Sequence, residues 1–353
     1  MKTRSNYLDI LKGYAIILVV FGHCIQYGSG QQAMSNGVYF DNKVFQMIYS
    51  FHMPLLMLIS GYLFYNTTKK YSDCEIIKKK VKSLLIPVLA WTTIVTIIDL
   101  ILFYATKGNL GTAITLKEYA RKVLFELWFI WSVFWGCIGT IAFRRIKNRI
   151  LRAAVICIAV MGLFVFPDKW NLYLYKYTFP FFFIGYLWNK YNISNEIQRC
   201  YKAMESHSSI LVGGGILIIG YILLLKFYNR DSFIYLTKVS ILEKTEYEAW
   251  YQIKIDLYRW LIGMIGCTVA VVLCAVIKKI PTKWIAYIGR KSLGIYIISG
   301  YFNTRILLNC TAGAAPNYCL NVVETILMLF VCLIIIWGIE KNEKLNMILL
   351  GSR

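Results

Sequence analysis

Only three histidines occur in the 353 residues, and two of them, His23 and His52, lie inside long apolar stretches. An imidazole in such a setting either bridges neighbouring helices or handles a proton, and taken alone each residue leaves both readings open. Placement narrows the choice. If the first stretch runs outward through a membrane and the second returns, His23 lies about four residues from the outer end and His52 about eight residues in, so the two meet at similar depth. Lys12 precedes His23 by eleven residues, almost three turns, which puts both on one helix face about 16 Å apart. Pro54 cannot donate to the carbonyl of Ser50, so the turn carrying His52 is expected to be distorted, as helices lining a cavity often are. Further ionisable groups, Asp99, Glu126, Lys176, Arg259 and Glu324, are expected toward the same side, with Arg290 and Lys291 at the opposite one. Each costs about 2.5 to 3.5 kcal/mol at the centre of a bilayer, which makes functional use or snorkelling to the interface the two explanations.

The elements that must carry these groups are apolar helices. Hydrophobic residues make up 58% of the chain and charged residues 16%, and mean hydropathy is +0.56. A soluble domain is typically about 25% charged, so an ordinary soluble enzyme, a disordered chain and a disulfide-stapled domain are excluded. The net charge of +21 is carried by short basic runs between apolar segments, a membrane pattern and not a nucleic-acid one. The ten cysteines form no CxxC pair, and Cys137, Cys157, Cys267, Cys274 and Cys332 sit in apolar stretches as packing residues, so no metal is expected.

Ten stretches approach the roughly 20 residues that a spanning helix needs: 8–27, 44–64, 83–104, 124–143, 150–167, 172–190, 209–228, 257–278, 287–302 and 318–338. The strand alternation of a membrane barrel is absent, which predicts an all-α, polytopic bundle of about ten transmembrane helices forming a single domain, 1–353. The first segment lacks a small-residue cleavage site and is expected to be retained. With basic residues at helix ends counted with their loops, 22 Lys and Arg fall on the side of the N-terminus and 11 on the other, which predicts both termini in the cytoplasm. The longest external loop is then 229–256. Its aromatic residues, among them Tyr235, Trp250 and Tyr251, suit a sugar surface, although an interfacial belt is the ordinary explanation for them.

The run Tyr7-Leu-Asp-Ile-Leu-Lys-Gly-Tyr-Ala-Ile-Ile-Leu-Val-Val-Phe-Gly-His23 resembles the first helix of the membrane-embedded acyltransferase-3 family, within it the branch that O-acetylates sugars of surface polysaccharides and fucose-bearing oligosaccharides. Phe51-His-Met-Pro-Leu-Leu-Met-Leu-Ile-Ser-Gly-Tyr62, Leu84-Leu-Ile-Pro-Val-Leu-Ala-Trp91, Leu127-Trp-Phe-Ile130 and Ile288-Gly-Arg-Lys-Ser-Leu-Gly-Ile-Tyr296 resemble later family landmarks, in order, so the likeness spans about residues 7 to 300. The family signature pairs an Arg with a His eleven residues on. Here Lys12 fills the Arg position, a point charge without the bidentate fork. Ser299 stands where the ninth-helix motif often has a His.

The resemblance implies an acyltransferase that moves an acetyl group from cytoplasmic acetyl-CoA to a hydroxyl of an extracytoplasmic sugar or glycan, in a bacterial cell membrane, with the lipid bilayer as its surroundings. It gives His23 the part of general base or acylated nucleophile, with His52 orienting or relaying. Lys12, Lys69, Lys70, Arg290 and Lys291 are candidates to hold CoA phosphates, within an inner basic set that also includes Lys78, Lys79, Lys80 and Lys82. Asp99, Glu126, Trp128, Lys176 and Arg259 are candidates for the acceptor side. The rival reading is a transporter or flippase, since a polar seam also suits a permeation path.

Overall fold

A computed structural model describes residues 6–28, 37–107, 116–193, 207–242, 248–277, 283–310 and 317–352. All regular structure among them is helical: α1 (Asn6–Gly28), α2 (Lys43–Thr68), α3 (Asp73–Lys80), α4 (Ile86–Lys107), α5 (Leu116–Phe125), α6 (Trp128–Arg144), α7 (Arg149–Val165), α8 (Leu172–Lys190), α9 (His207–Leu225), the one-turn α10 (Ile234–Thr237), α11 (Ala249–Ile277), α12 (Lys283–Arg290), α13 (Ser292–Cys310), α14 (Tyr318–Glu340) and α15 (Glu343–Leu350). Each of the ten apolar stretches holds a helix. Among the described residues five helical segments are long and apolar enough to cross a membrane: Asn6–Tyr27, Lys43–Thr68, Asp73–Thr106, Ala249–Cys274 and Tyr318–Glu340. The pair α5 and α6 would make a sixth as a broken span, bent by 65°.

Sequence accounts for the starts of several elements. Asn42, Asn148, Asn317 and Asn342 each turn a side-chain oxygen onto the first free amides of α2, α7, α14 and α15, and Ser72 with Glu75 closes a capping box on α3. α3 runs through a π-helical turn, Val81–Leu85, into α4. The expected distortion at Pro54 is not a break, because α2 continues through it. Small residues of α11 back that stretch: Gly263 lies against the Ser50 carbonyl and Gly266 against Phe51.

α1 is the hub of the bundle, packing against α2, α11, α12, α13 and α14. Where α1 meets α12 the backbones touch, since a Cβ on Gly13 would stand 2.2 Å from the Ile285 carbonyl oxygen and one on Gly289 1.8 Å from that of Asp9. The α2–α8 contact has the same cause, with Gly61 facing the Phe182 carbonyl and Gly185 that of Leu58. Without a hydrophobic force between helices in lipid, such close approach is how dispersion holds them together. The opposite faces are apolar and open: Leu320, Val323, Ile326, Leu327 and Phe330 on α14, Ile97, Ile101 and Leu102 on α4, and Ile156, Ile158, Val160 and Met161 on α7. A belt of this size belongs against lipid.

Two departures from the sequence reading bear on the site. α11 starts at Ala249 instead of 257, so part of the expected 229–256 loop is helix; the remainder, up to Leu242, folds into a cap, and 243–247 lie outside the described residues. The ninth stretch is two helices, α12 and α13, hinged at Lys291.

Candidate active site: two cavities one helical turn apart

The larger cavity, about 550 Å³, is walled by His23 and Gln26 of α1, Tyr49 and His52 of α2, Glu126 and Trp128 at the α5–α6 bend, Asn171 and Tyr173 at the start of α8, Tyr235 of the cap and Tyr296 and Tyr301 of α13. It is aromatic with a few polar groups, as small-molecule sites generally are. His52 is buried, and its Nδ1 lies 2.7 Å from the carbonyl oxygen of Ile48. That oxygen only accepts, so Nδ1 carries the proton and Nε2 the lone pair, the tautomer a base requires. The Tyr49 ring meets His52 edge-on with centroids 4.7 Å apart, and Tyr27 does the same for His23 at 5.8 Å.

A second cavity, about 210 Å³, opens lower in the same bundle, lined by Lys12, Ile16, Leu56, Ser60, Phe64, Thr67, Lys80, Phe129, Val133, Ser292 and Tyr296, among others. Four helices therefore serve both chambers from displaced positions. α1 gives Lys12 and Ile16 to one and Val19 and His23 to the other; α2, α6 and α13 divide likewise. From Ile16 to Val19 is three residues, so along α1 the linings of the two cavities are about 4.5 Å apart, roughly one turn.

The candidates separate into groups. His23, His52, Glu126 and Trp128 come together on the larger cavity, while Lys12 lines the smaller one and pairs with Asp9 at 4.0 Å. Lys69 and Lys70 are exposed and line neither cavity, Lys69 standing over the Tyr65 ring. Arg290 is exposed beside Tyr287, and Lys291 is hydrogen-bonded to Glu340. Asp99 ties α4 to α5 through Lys122 at 2.8 Å. Lys80 stands within a lysine run, Tyr235 among the aromatics of the outer loop and Tyr296 at the end of a landmark segment, while Tyr301 carries no signal distinguishing it from ordinary apolar positions.

Lys176 and Arg259 hold the cap instead of lining the cavity. Lys176 donates to Asp168 at 2.7 Å and to the Phe166 carbonyl. Asp168 also accepts the amides of Val239 and Ser240, at 2.8 and 2.6 Å. Arg259 pairs with Asp256 at 2.6 Å and donates to the carbonyls of Asp231, Ser232 and Lys238. Lys238 sits at φ 53°, ψ −146°, strained for any residue with a side chain, and the bonds on either side of it maintain that conformation. The cap so fixed places Tyr235 over the histidines. Outside the bundle Asp41 pairs with Arg230 at 2.7 Å, and this guanidinium holds the Asp41 carboxyl below its usual range.

The histidines, Lys12, Lys80 and the landmark segments occupy one structure, and nearly all of it falls within a known family: the chain belongs to the acyltransferase-3 family, whose acyltransferase domain matches residues 5–341. Among its relatives is the nodulation protein NolL of Sinorhizobium fredii (strain NBRC 101917 / NGR234), 32% identical over 214 residues, which are 59% of this chain and 54% of that protein. NolL of Mesorhizobium japonicum (strain LMG 29417 / CECT 9101 / MAFF 303099) is 31% identical over 189 residues, 52% and 48% of the two chains. The match spans about half the length of these curated relatives. No solved structure matches.

Proposed function

We propose that the protein is a membrane-embedded acyltransferase that takes an acetyl group from acetyl-CoA at the cytoplasmic side and delivers it to a hydroxyl of a sugar or glycan at the outer side. The observation that carries this reading is the pair of stacked cavities, one with lysines and one with histidines, separated by a single helical turn. A donor held by phosphate contacts near Lys12 and Lys80 then has its thioester brought to the partition, while the acceptor stands among the aromatic walls above. In this scheme the acceptor oxygen attacks the thioester carbon, its proton passes to His23, the carbon–sulfur bond breaks as the ester bond forms, and the thiolate leaves as the CoA thiol after taking up a proton. His52, with Nε2 as acceptor, supports the proton's path. We place all ten helical stretches across the membrane with both termini inside, on the asymmetry of basic residues.

The test is release of CoA thiol by the purified protein in lipid nanodiscs, with ester formation on mono- and oligosaccharide acceptors followed by mass spectrometry. Thiol release that rises with acceptor and yields acetylated sugar is expected. Failure to turn over acetyl-CoA with any acceptor, together with movement of a labelled sugar across proteoliposomes, would replace this reading with a transporter.

A further inference from the structure

Tyr296 is the residue among the described linings that faces both cavities. It stands in the partition itself, buried, with its ring edge-on to Phe129 at 5.4 Å and its hydroxyl accepting the Phe129 amide at 3.4 Å. Phe129 is fixed in turn near the start of α6, immediately after the bend at Glu126 and Leu127. The remaining partition is apolar, made of Ile16 and Val19 from α1, Met53 and Leu56 from α2 and Leu127 with Phe129. A thioester entering from the lysine side therefore meets an aromatic ring held by Phe129 through both its ring edge and its amide, in a wall otherwise made of apolar side chains.

We propose that Tyr296 sets the length of the acyl group transferred, acting as a steric stop that admits a two-carbon acyl chain and rejects longer ones. This rests on the acyl-transfer reading above and adds a specificity determinant to it. Along α1 the two linings are about 4.5 Å apart, close to the reach of a thioester and its short acyl group. Each added methylene must displace ring carbons of Tyr296 or side chains of Leu127 and Phe129, and packed interiors give way poorly to such additions. The stop is the ring and not the hydroxyl, so removing only the oxygen leaves it in place.

The experiment compares kcat/KM for acetyl-, propionyl- and butyryl-CoA in the purified wild type, Tyr296→Phe, Tyr296→Leu and Tyr296→Ala, each first shown to be monodisperse. The wild type is expected to lose about tenfold per added methylene, the usual scale for discrimination by an apolar pocket. Tyr296→Phe keeps that profile. Tyr296→Leu and Tyr296→Ala raise the butyryl-to-acetyl ratio by about tenfold or more, with the acceptor KM little changed. Should Tyr296→Ala not fold, Tyr296→Leu carries the same comparison, since it removes the planar ring while keeping part of the side chain's packing. A wild type indifferent to chain length, an unchanged ratio in either folded truncation, or a Tyr296→Phe that behaves like Tyr296→Ala overturns the steric stop while leaving acyl transfer standing. A wild type inactive with every donor removes the acyl-transfer reading itself.

Discussion

Asp168 lies outside the apolar stretches, yet its carboxylate joins the cap to the bundle over the histidine cavity, which makes its removal a direct probe of how the proposed acceptor side is built. Both oxygens are used: one takes Lys176, the other the amides of Val239 and Ser240. Asp168→Ala leaves a buried ammonium without its counter-charge, a loss of about 3 to 5 kcal/mol when one partner of a buried pair is removed. Two amides lose their acceptor as well, at about 1 to 3 kcal/mol each if they stay dry. The penalties together exceed what a fourteen-residue cap, 229–242, is able to retain, so the cap should lift and let water in before the bundle loosens. Lys176→Met also leaves a buried charge, the Asp168 carboxylate, without its partner, again about 3 to 5 kcal/mol, but it is milder in total because both amides keep their acceptor. In the purified enzyme we expect Asp168→Ala to raise the acceptor KM about tenfold or more, Lys176→Met to raise it less, and both to leave the acetyl-CoA KM within about threefold. Hydrogen exchange across 229–242 should rise in the same order. If Lys176→Met were the more damaging variant, with exchange in the cap unchanged, Lys176 would be acting on substrate and the clamp argument would be wrong.

His23→Ala should abolish detectable transfer in a monodisperse protein that still binds CoA, whereas His52→Ala should retain measurable turnover, since loss of a general base commonly costs about 10² to 10⁴ in rate; an active His23→Ala beside a dead His52→Ala would exchange their roles. Two native thiols report topology, because Cys74 on α3 and Cys319 at the start of α14 are both exposed. In single-cysteine versions, a membrane-impermeant maleimide should label Cys319 in intact cells and Cys74 only after lysis, and the opposite pattern would invert the orientation. The Asp41 carboxyl is held below its ordinary value of 3.8 by Arg230, so the pair stabilises the fold above that value and loses its effect only as pH falls through the depressed one. The melting-temperature difference between wild type and Arg230→Gln should thus be constant from pH 5 to 8 and close below about 3.8; closure near pH 6 would point to a different group.

The helices were legible because apolar runs of this length have one outcome in lipid, and Pro54 misled only slightly, since Gly263 lets α11 cover the carbonyl that proline leaves unserved. The early start of α11 was hidden because Gln252 and Asp256 look like loop residues, and their partners, Lys238 and Arg259, become visible only once the cap is folded. Lys176 and Arg259 illustrate the same limit on roles. A charge in an apolar stretch announces that a partner exists without saying whether it is substrate, and Asp168 could not be paired with Val239 and Ser240 across some seventy residues by spacing. His23, Glu126 and Trp128 share a wall with His52, but Tyr301, which helps complete it, looks, in one dimension, like any other apolar position.

The central place of α1 also bears on how the protein is made. Gly13 seats against Ile285, and the Tyr7 hydroxyl bonds the Val271 carbonyl, across separations of more than 260 residues. At about 5 to 20 residues per second, the ribosome needs roughly 15 to 55 s to pass from one partner to the other. For that interval α1, carrying Asp9, Lys12 and His23, waits for α11 and α12, two of the surfaces that will enclose it. A chain stalled in that interval leaves Asp9, Lys12 and His23 without the surfaces that will enclose them, at the cost that ionisable groups carry in lipid.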